Sequence, residues 1–169
     1  ELSATTNKTN VSCYGGNDGI ITANPSGGTA PYAYLWSDGQ ITQTATGLSA
    51  GIYTCIIIDA NGCVKNKTVN ITQPSSALTV PVPTQTSISC FGGSDGTATA
   101  NPSGGTSPYT YLWSDGQTTQ IAIGLSLSTY TCVITDANGC VESAFVTLTQ
   151  PQPLQVQINA TEVSCNNGS

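Results

Sequence analysis

The sequence predicts an all-β chain of tandem immunoglobulin-like β-sandwich modules with a repeat of roughly 77 residues. Three observations predict it. First, the chain copies itself. Cys13, Cys55 and Cys63 recur as Cys90, Cys132 and Cys140, Trp36 as Trp113, and Gln73-Pro74 as Gln150-Pro151, each time 77 residues on. A fixed period marks an array of equivalent units. Second, Gly, Pro, Asn and Asp punctuate the chain every 8–12 residues or so, without helical periodicity, as in a sandwich of short strands. Third, apolar residues alternate with period two, as at Tyr32, Tyr34 and Trp36.

Six or seven strands fit each module. In the first, a strand is expected from about Leu2 to Ser12. The next covers Gly19 to Asn24 and ends at Pro25 and the Gly27-Gly28 turn. Tyr32 to Trp36 forms the third, and Ser37-Asp38-Gly39 turns into a strand around Gln40 to Thr46. After Gly47-Leu48-Ser49-Ala50-Gly51 comes Ile52 to Asp59, and Ala60-Asn61-Gly62 closes a hairpin onto Cys63 to Thr72. Asn-Gly tolerates the positive φ of tight hairpins. Gln73-Pro74 ends the module, because Pro has no amide proton for a ladder.

The expected domains are 1–75, 76–152 and the first strand of an incomplete third copy at 153–169. Leu2 to Cys13 and Leu154 to Cys165 have equal spacing, whereas Leu78 to Cys90 holds one extra residue. The absence of Met and the polar start at Glu1 read as a window cut from a longer chain, with any targeting signal outside it.

A module this small buries a modest core, so a covalent staple is expected. Trp36 and Trp113 are the core anchors, and Tyr53 and Tyr130, which follow Gly-Leu turns, read as structural corner tyrosines. Each module holds three cysteines. No Cys-x-x-Cys and no His is present, which argues against zinc and against a catalytic thiol. Cys55 shares an inward face with Tyr53 and Ile57 and reads as a small buried hydrophobe. The pairing read from this is Cys13 with Cys63 and Cys90 with Cys140, leaving Cys55 and Cys132 over. Two alternatives stay open: Cys13 with Cys55, or a bond from the odd thiol to another module or chain.

Composition excludes several functions. Only 7% of residues are charged, and the net charge is -6. Lys8, Lys65 and Lys67 are the only cations, so the footprint that nucleic acid or anionic lipid requires is missing. No stretch is apolar and long enough for a membrane helix. No cofactor is implied. Asp18, Asp38, Asp59, Asp95, Asp115 and Asp136 form three repeat-matched pairs that could offer oxygens to Ca²⁺. Each lies in a turn or beside Gly, where a carboxylate caps backbone amides, and that is the preferred reading. Nothing marks a carboxylate pair for glycoside cleavage. Asn-x-Ser/Thr acceptors stand at Asn7, Asn10, Asn66, Asn70, Asn159 and Asn167.

The runs Cys13 to Gly19, Gly27 to Gly39, Gly47 to Tyr53 and Asp59 to Cys63 resemble the SprB-type repeat, which occurs in tandem in very large surface adhesins of Bacteroidota. The Tyr-Leu-Trp-Ser-Asp-Gly run is also similar to PKD domains. The resemblance implies outer-surface display or release, commonly by type IX secretion, and adhesion or spacer roles without catalytic residues. It implies cysteines at the Cys13 and Cys63 positions and an aliphatic residue where Cys55 and Cys132 stand.

The expected function is therefore a non-catalytic segment of an extracellular bacterial adhesin or filament, built as a semi-rigid rod. Short Pro-containing joints such as Gln73-Pro74-Ser75-Ser76 and Gln150-Pro151-Gln152-Pro153 restrict inter-module angles. Expected partners are neighbouring modules, neighbouring copies in a fibre, and surface glycans or other cells. The alternatives are carbohydrate-binding modules, with Tyr14 and Phe91 as exposed aromatics, or a passive spacer on a secreted enzyme.

Overall fold

A computed structural model describes residues 1–160. Twelve strands fall into four three-stranded antiparallel sheets, two per module. In the first module, β1 (Ser3–Thr9), β2 (Gly19–Ser26) and β4 (Thr44–Leu48) pair in the order β1-β2-β4. Opposite them lie β3 (Ala33–Trp36), β5 (Gly51–Ile58) and β6 (Val64–Ile71), ordered β3-β5-β6. The second module repeats this. One sheet takes β7 (Thr84–Thr86), β8 (Gly96–Thr99) and β10 (Ile121–Leu125); the other takes β9 (Thr110–Trp113), β11 (Thr129–Thr135) and β12 (Val141–Thr147).

Inward-facing residues of the two sheets meet between them. The first core gathers Val11, Ile21, Trp36, Leu48, Cys55, Ile57 and Ile71, and the second gathers the matching Ile88, Ala98, Trp113, Leu125, Cys132, Ile134 and Leu148. Each tryptophan is 1% exposed. Its indole N–H would be a costly orphan at that depth. It donates instead to a loop carbonyl, Trp36 Nε1 to Thr42 O at 2.8 Å and Trp113 Nε1 to Thr119 O at 2.9 Å. Tyr53 Oη donates to Ser49 O, and Tyr130 Oη to Ser126 O, closing a tyrosine corner in each module.

The expected strands are present with shifted ends, and there are six per module rather than seven. The second does not stop at Asn24: Pro25 pairs with Ala4 inside β2. The neighbour on the other side, β4, reaches only as far as Thr22 in its pairing, so no partner there needs the missing proline donor. The chain also changes sheets at the end of β1. Val11 N donates to Thr72 O, and Thr72 N to Asn10 Oδ1, which ties the segment after β1 to the end of β6. This places the Cys13 loop at the pole where the module's chain leaves. The Cys63 loop joins β5 to β6 at the opposite pole, where the chain enters. Residues 153–160 pair with no strand, and Leu154 is 91% exposed. The rest of the expected third copy, with Cys165 and Asn167, lies outside the described residues.

Candidate functional site

Two loops of different modules meet between the sandwiches, and each is built by carboxylates. At the exit pole of the first module, Asp18 Oδ1 accepts from Ser12 N at 3.0 Å. Gln73 Oε1 accepts from Gly15 N at 2.9 Å. Gly15 has φ of 74°, a left-handed conformation that suits glycine. At the entry pole of the second module, Asp136 Oδ1 accepts from Asn138 N and Cys140 N, both at 2.9 Å, and Oδ2 from Thr106 N at 2.8 Å. Burial alone would raise the Asp136 pKa; the amides of Cys140, Thr106, Asn138 and Gly139 outweigh it and hold the carboxyl below its ordinary value.

These loops are joined covalently. Cys13 and Cys140 form a disulfide with Cα atoms 5.8 Å apart, across a sequence separation of 127. Asn138 Nδ2 adds a hydrogen bond to Ser12 O at 3.0 Å. Tyr14, Ala77, Leu78, Gly105 and Val141 line a shallow groove beside the bond.

The pairings Cys13–Cys63 and Cys90–Cys140 are thereby overturned. The cause is pole placement. Cys13 and Cys63 sit at opposite ends of one sandwich, separated by the eight-residue β6. A strand of that length spans roughly 25 Å, whereas bridged Cα atoms lie within about 7 Å. The first cysteine of a module can reach the last cysteine only in the module that follows. Among the described residues Cys63 and Cys90 have no partner, and both are exposed. Cys55 and Cys132 are unpaired and 0% exposed, so the inter-module option does not apply to them. Each sits across the ladder from the core tryptophan, Cys55 from Trp36 and Cys132 from Trp113. Burial pushes the Cys132 thiol up to about 11 and raises that of Cys55, so both stay protonated and unreactive at neutral pH.

The six aspartates act as caps. Asp95 repeats the Asp18 loop by accepting from Ser89 N at 3.0 Å. Asp59 repeats Asp136, accepting from Cys63 N at 2.8 Å, Asn61 N at 2.9 Å and Thr29 N at 3.0 Å. Asp38 and Asp115 each hold the backbone N–H and the side-chain amide of the glutamine two residues on. Among the described residues no group of three or more His, Cys, Asp or Glu side chains could hold a metal ion. Asn7, Asn10, Asn66, Asn70 and Asn159 are exposed. Tyr14 and Phe91 are 52% and 58% exposed, and Tyr14 belongs to the junction groove.

The junction itself was not read from the sequence. The signal was there: three cysteines per module, one on the core face, left two end-loop cysteines to pair.

The SprB repeat family model matches residues 5–41 and 82–118. The two windows stand one repeat apart, and each runs from the first strand through the turn after the tryptophan. No curated protein sequence matches the chain. Among solved structures, the chain is similar to three N-terminal domains of the bacteriophage RB49 Highly Immunogenic Outer Capsid protein (Hoc), at 18% identity and a TM-score of 0.51. That match covers 88% of this chain and 58% of that one, and it bears on the fold alone. DIP-gamma IG1+IG2 aligns at 15% identity over 90% of this chain and 98% of that one, with a TM-score of 0.42. Period and family match agree on two copies, each with a first half that is similar to the SprB repeat.

Proposed function

We propose that the chain is a non-catalytic segment of an extracellular bacterial surface protein, in which consecutive modules are locked into a semi-rigid rod that projects or carries adhesive contacts. The observation that carries this reading is the bond between Cys13 and Cys140. A linker alone, Gln73 to Leu78, would leave two sandwiches free to swing. A second covalent tie beside the linker removes most of that freedom. An object so built transmits force and holds reach. It also presents the same face at a regular spacing, so many weak contacts sum to avidity. The cystine further suits an oxidising compartment outside the cytosol, and type IX export belongs to the same proposal. The aromatics weighed for sugar stand one per module, Tyr14 at the junction and Phe91 at its counterpart, and both are exposed.

Small-angle scattering of the oxidised chain and of Cys13→Ser tests the rod. The oxidised chain should give one narrow end-to-end distribution, and Cys13→Ser a broader one of smaller mean. Identical distributions would remove the staple as the source of stiffness. For adhesion, beads bearing the chain at graded densities are scored for retention under flow on bare and glycan-coated surfaces. Avidity requires retention to rise faster than density; no retention at any density leaves only the spacer role.

A further inference from the structure

The junction has two vacant halves elsewhere in the chain. The Cys90 loop of the second module is built as the Cys13 loop is. Ser89 N donates to Asp95 Oδ1, Gly92 N donates to Gln150 Oε1 at 2.9 Å, and Gly93 N donates to Cys90 O, matching Ser12, Gly15 and Gly16 in the first module. The Cys63 loop is built as the Cys140 loop is, with Asp59 in the place of Asp136 and Asn61 in the place of Asn138. Even the contact of the asparagine side chain with a threonine hydroxyl recurs: Asn61 with Thr29 at 2.8 Å, Asn138 with Thr106 at 3.0 Å. The difference lies in what covers them. Ser12, Cys13 and Cys140 are half-buried against each other, whereas Ser89, Cys90 and Cys63 are exposed.

We propose that Cys90 and Cys63 are the two halves of the same joint, and that Cys90 forms a disulfide with the Cys63-position cysteine of a further copy of this module set. The array would then be stapled at every junction, each module bonded to the one before and the one after. Asn61 Nδ2 would donate to Ser89 O of the neighbour, as Asn138 donates to Ser12. The occupant is a second copy because the half-sites are complementary only head to tail: an exit-pole cysteine meets an entry-pole cysteine, never its own kind. The inference rests on the rod reading and sharpens it.

The bond forms by exchange with a disulfide oxidant such as oxidised glutathione. One protein thiolate attacks it, gives a mixed disulfide and releases one glutathione thiolate. The second protein thiolate attacks the mixed disulfide and releases the other. Two protein thiols lose two protons and two electrons, and the oxidant is reduced to two thiols.

The test uses the full chain with Cys165→Ser throughout, so that the comparison turns on Cys63 and Cys90. Two variants carry Cys63→Ser or Cys90→Ser, each alone and then mixed, in oxidised and reduced glutathione. The mixture should yield a covalent dimer at least about tenfold more abundant than either variant alone, because docking raises the effective thiol concentration. The dimer peptide should join Cys63 to Cys90, and the parent with both thiols should give a ladder of multimers. Equal dimer from either variant alone, or Cys63–Cys63 and Cys90–Cys90 peptides in the mixture, would overturn the proposal. Head-to-tail association by sedimentation with no bond formed would also overturn the staple while leaving the rod standing. Cys13→Ser dimers that still form through Cys63 and Cys90 would confirm that each joint closes on its own.

Discussion

The two modules have cores built alike and differ in their first strand. In the first, β1 runs seven residues and pairs with β2 along its whole length, from Ser3↔Ser26 to Thr9↔Ile20. In the second, the equivalent stretch is broken. A lone bridge joins Thr79 to Ser103, Pro81 and Pro83 follow, and β7 pairs for only three residues. The second module carries the extra residue in this stretch, and two residues without amide protons cannot keep the ladder. Yet its tryptophan and core cysteine keep the geometry of the first, and its tyrosine still closes a corner. The lesson is that an edge strand can be reorganised without disturbing the core, because the packing between sheets and the capped turns hold the module. The edge strand serves as a cover and as the arm that delivers the exit-pole loop.

The sharpest way to break this comparison is to remove a core anchor. Trp36→Ala and Trp113→Ala should each destabilise their own module by about 3–5 kcal/mol. The costs should be alike despite the unlike edge strands. Each variant keeps one tryptophan, so its fluorescence during urea unfolding reports the untouched module. That module's midpoint should move little. A cost in the second module below half that in the first would mean β1, not the core, carries the difference.

The core cysteines come next. Cys132→Ser places a hydroxyl in a site 0% exposed, and an unsatisfied polar group there costs about 1–3 kcal/mol. Cys132→Val conserves apolar character and should cost under about 1.5 kcal/mol. Cys55 should behave the same way. A valine variant as damaging as serine would assign these thiols a role beyond packing.

The corner tyrosines separate the modules more finely. Tyr130 is buried and both donates to Ser126 O and accepts from Ser126 N, whereas Tyr53 is half-buried and donates to Ser49 O alone. Phe substitution should cost about 1 kcal/mol at Tyr130 and less at Tyr53. Equal losses in thermal midpoint would show that the second contact adds nothing.

Much of this was legible in the sequence, and what was not has a physical reason. The period of the copies marked the two sandwiches, and residue type marked their contents: an indole needs an interior, and a tyrosine after a Gly-Leu turn makes a corner. Asp59 and Asp136 read as turn caps because carboxylates beside Gly face amides. The disulfide did not read, because spacing counts residues along the chain, and the decisive fact was which pole each loop occupies. Cys13 is nearer to Cys63 in sequence and nearer to Cys140 in space. That inversion follows from a chain that enters a sandwich at one end and leaves at the other. Pro25 inside β2 escaped for a similar reason. A proline breaks a strand only where a neighbour needs its donor, and no sequence pattern shows where the neighbouring strand stops.

Acid should leave the comparison untouched, and that is its use. Each module owns one exit-pole and one entry-pole carboxylate held below the ordinary value of 3.8: Asp18 and Asp59 in the first, Asp95 and Asp136 in the second. For Asp18 and Asp95 the cause is first the Ser12 or Ser89 hydroxyl and then the same residue's amide. For Asp59 it is first the Cys63 amide. A folded-state value below the unfolded one means the unfolded chain binds protons first as pH falls. The stabilisation is therefore complete above 3.8 and is lost from there down through the folded values. Thermal midpoints of both modules should hold level from neutral pH to about 5 and then decline in parallel below 4. Asp59→Asn should flatten the decline in the first module alone, because one titrating cap has gone, and Asp136→Asn in the second alone. A decline confined to one module of the parent chain would mean that its caps differ in strength although their backbone hydrogen bonds match.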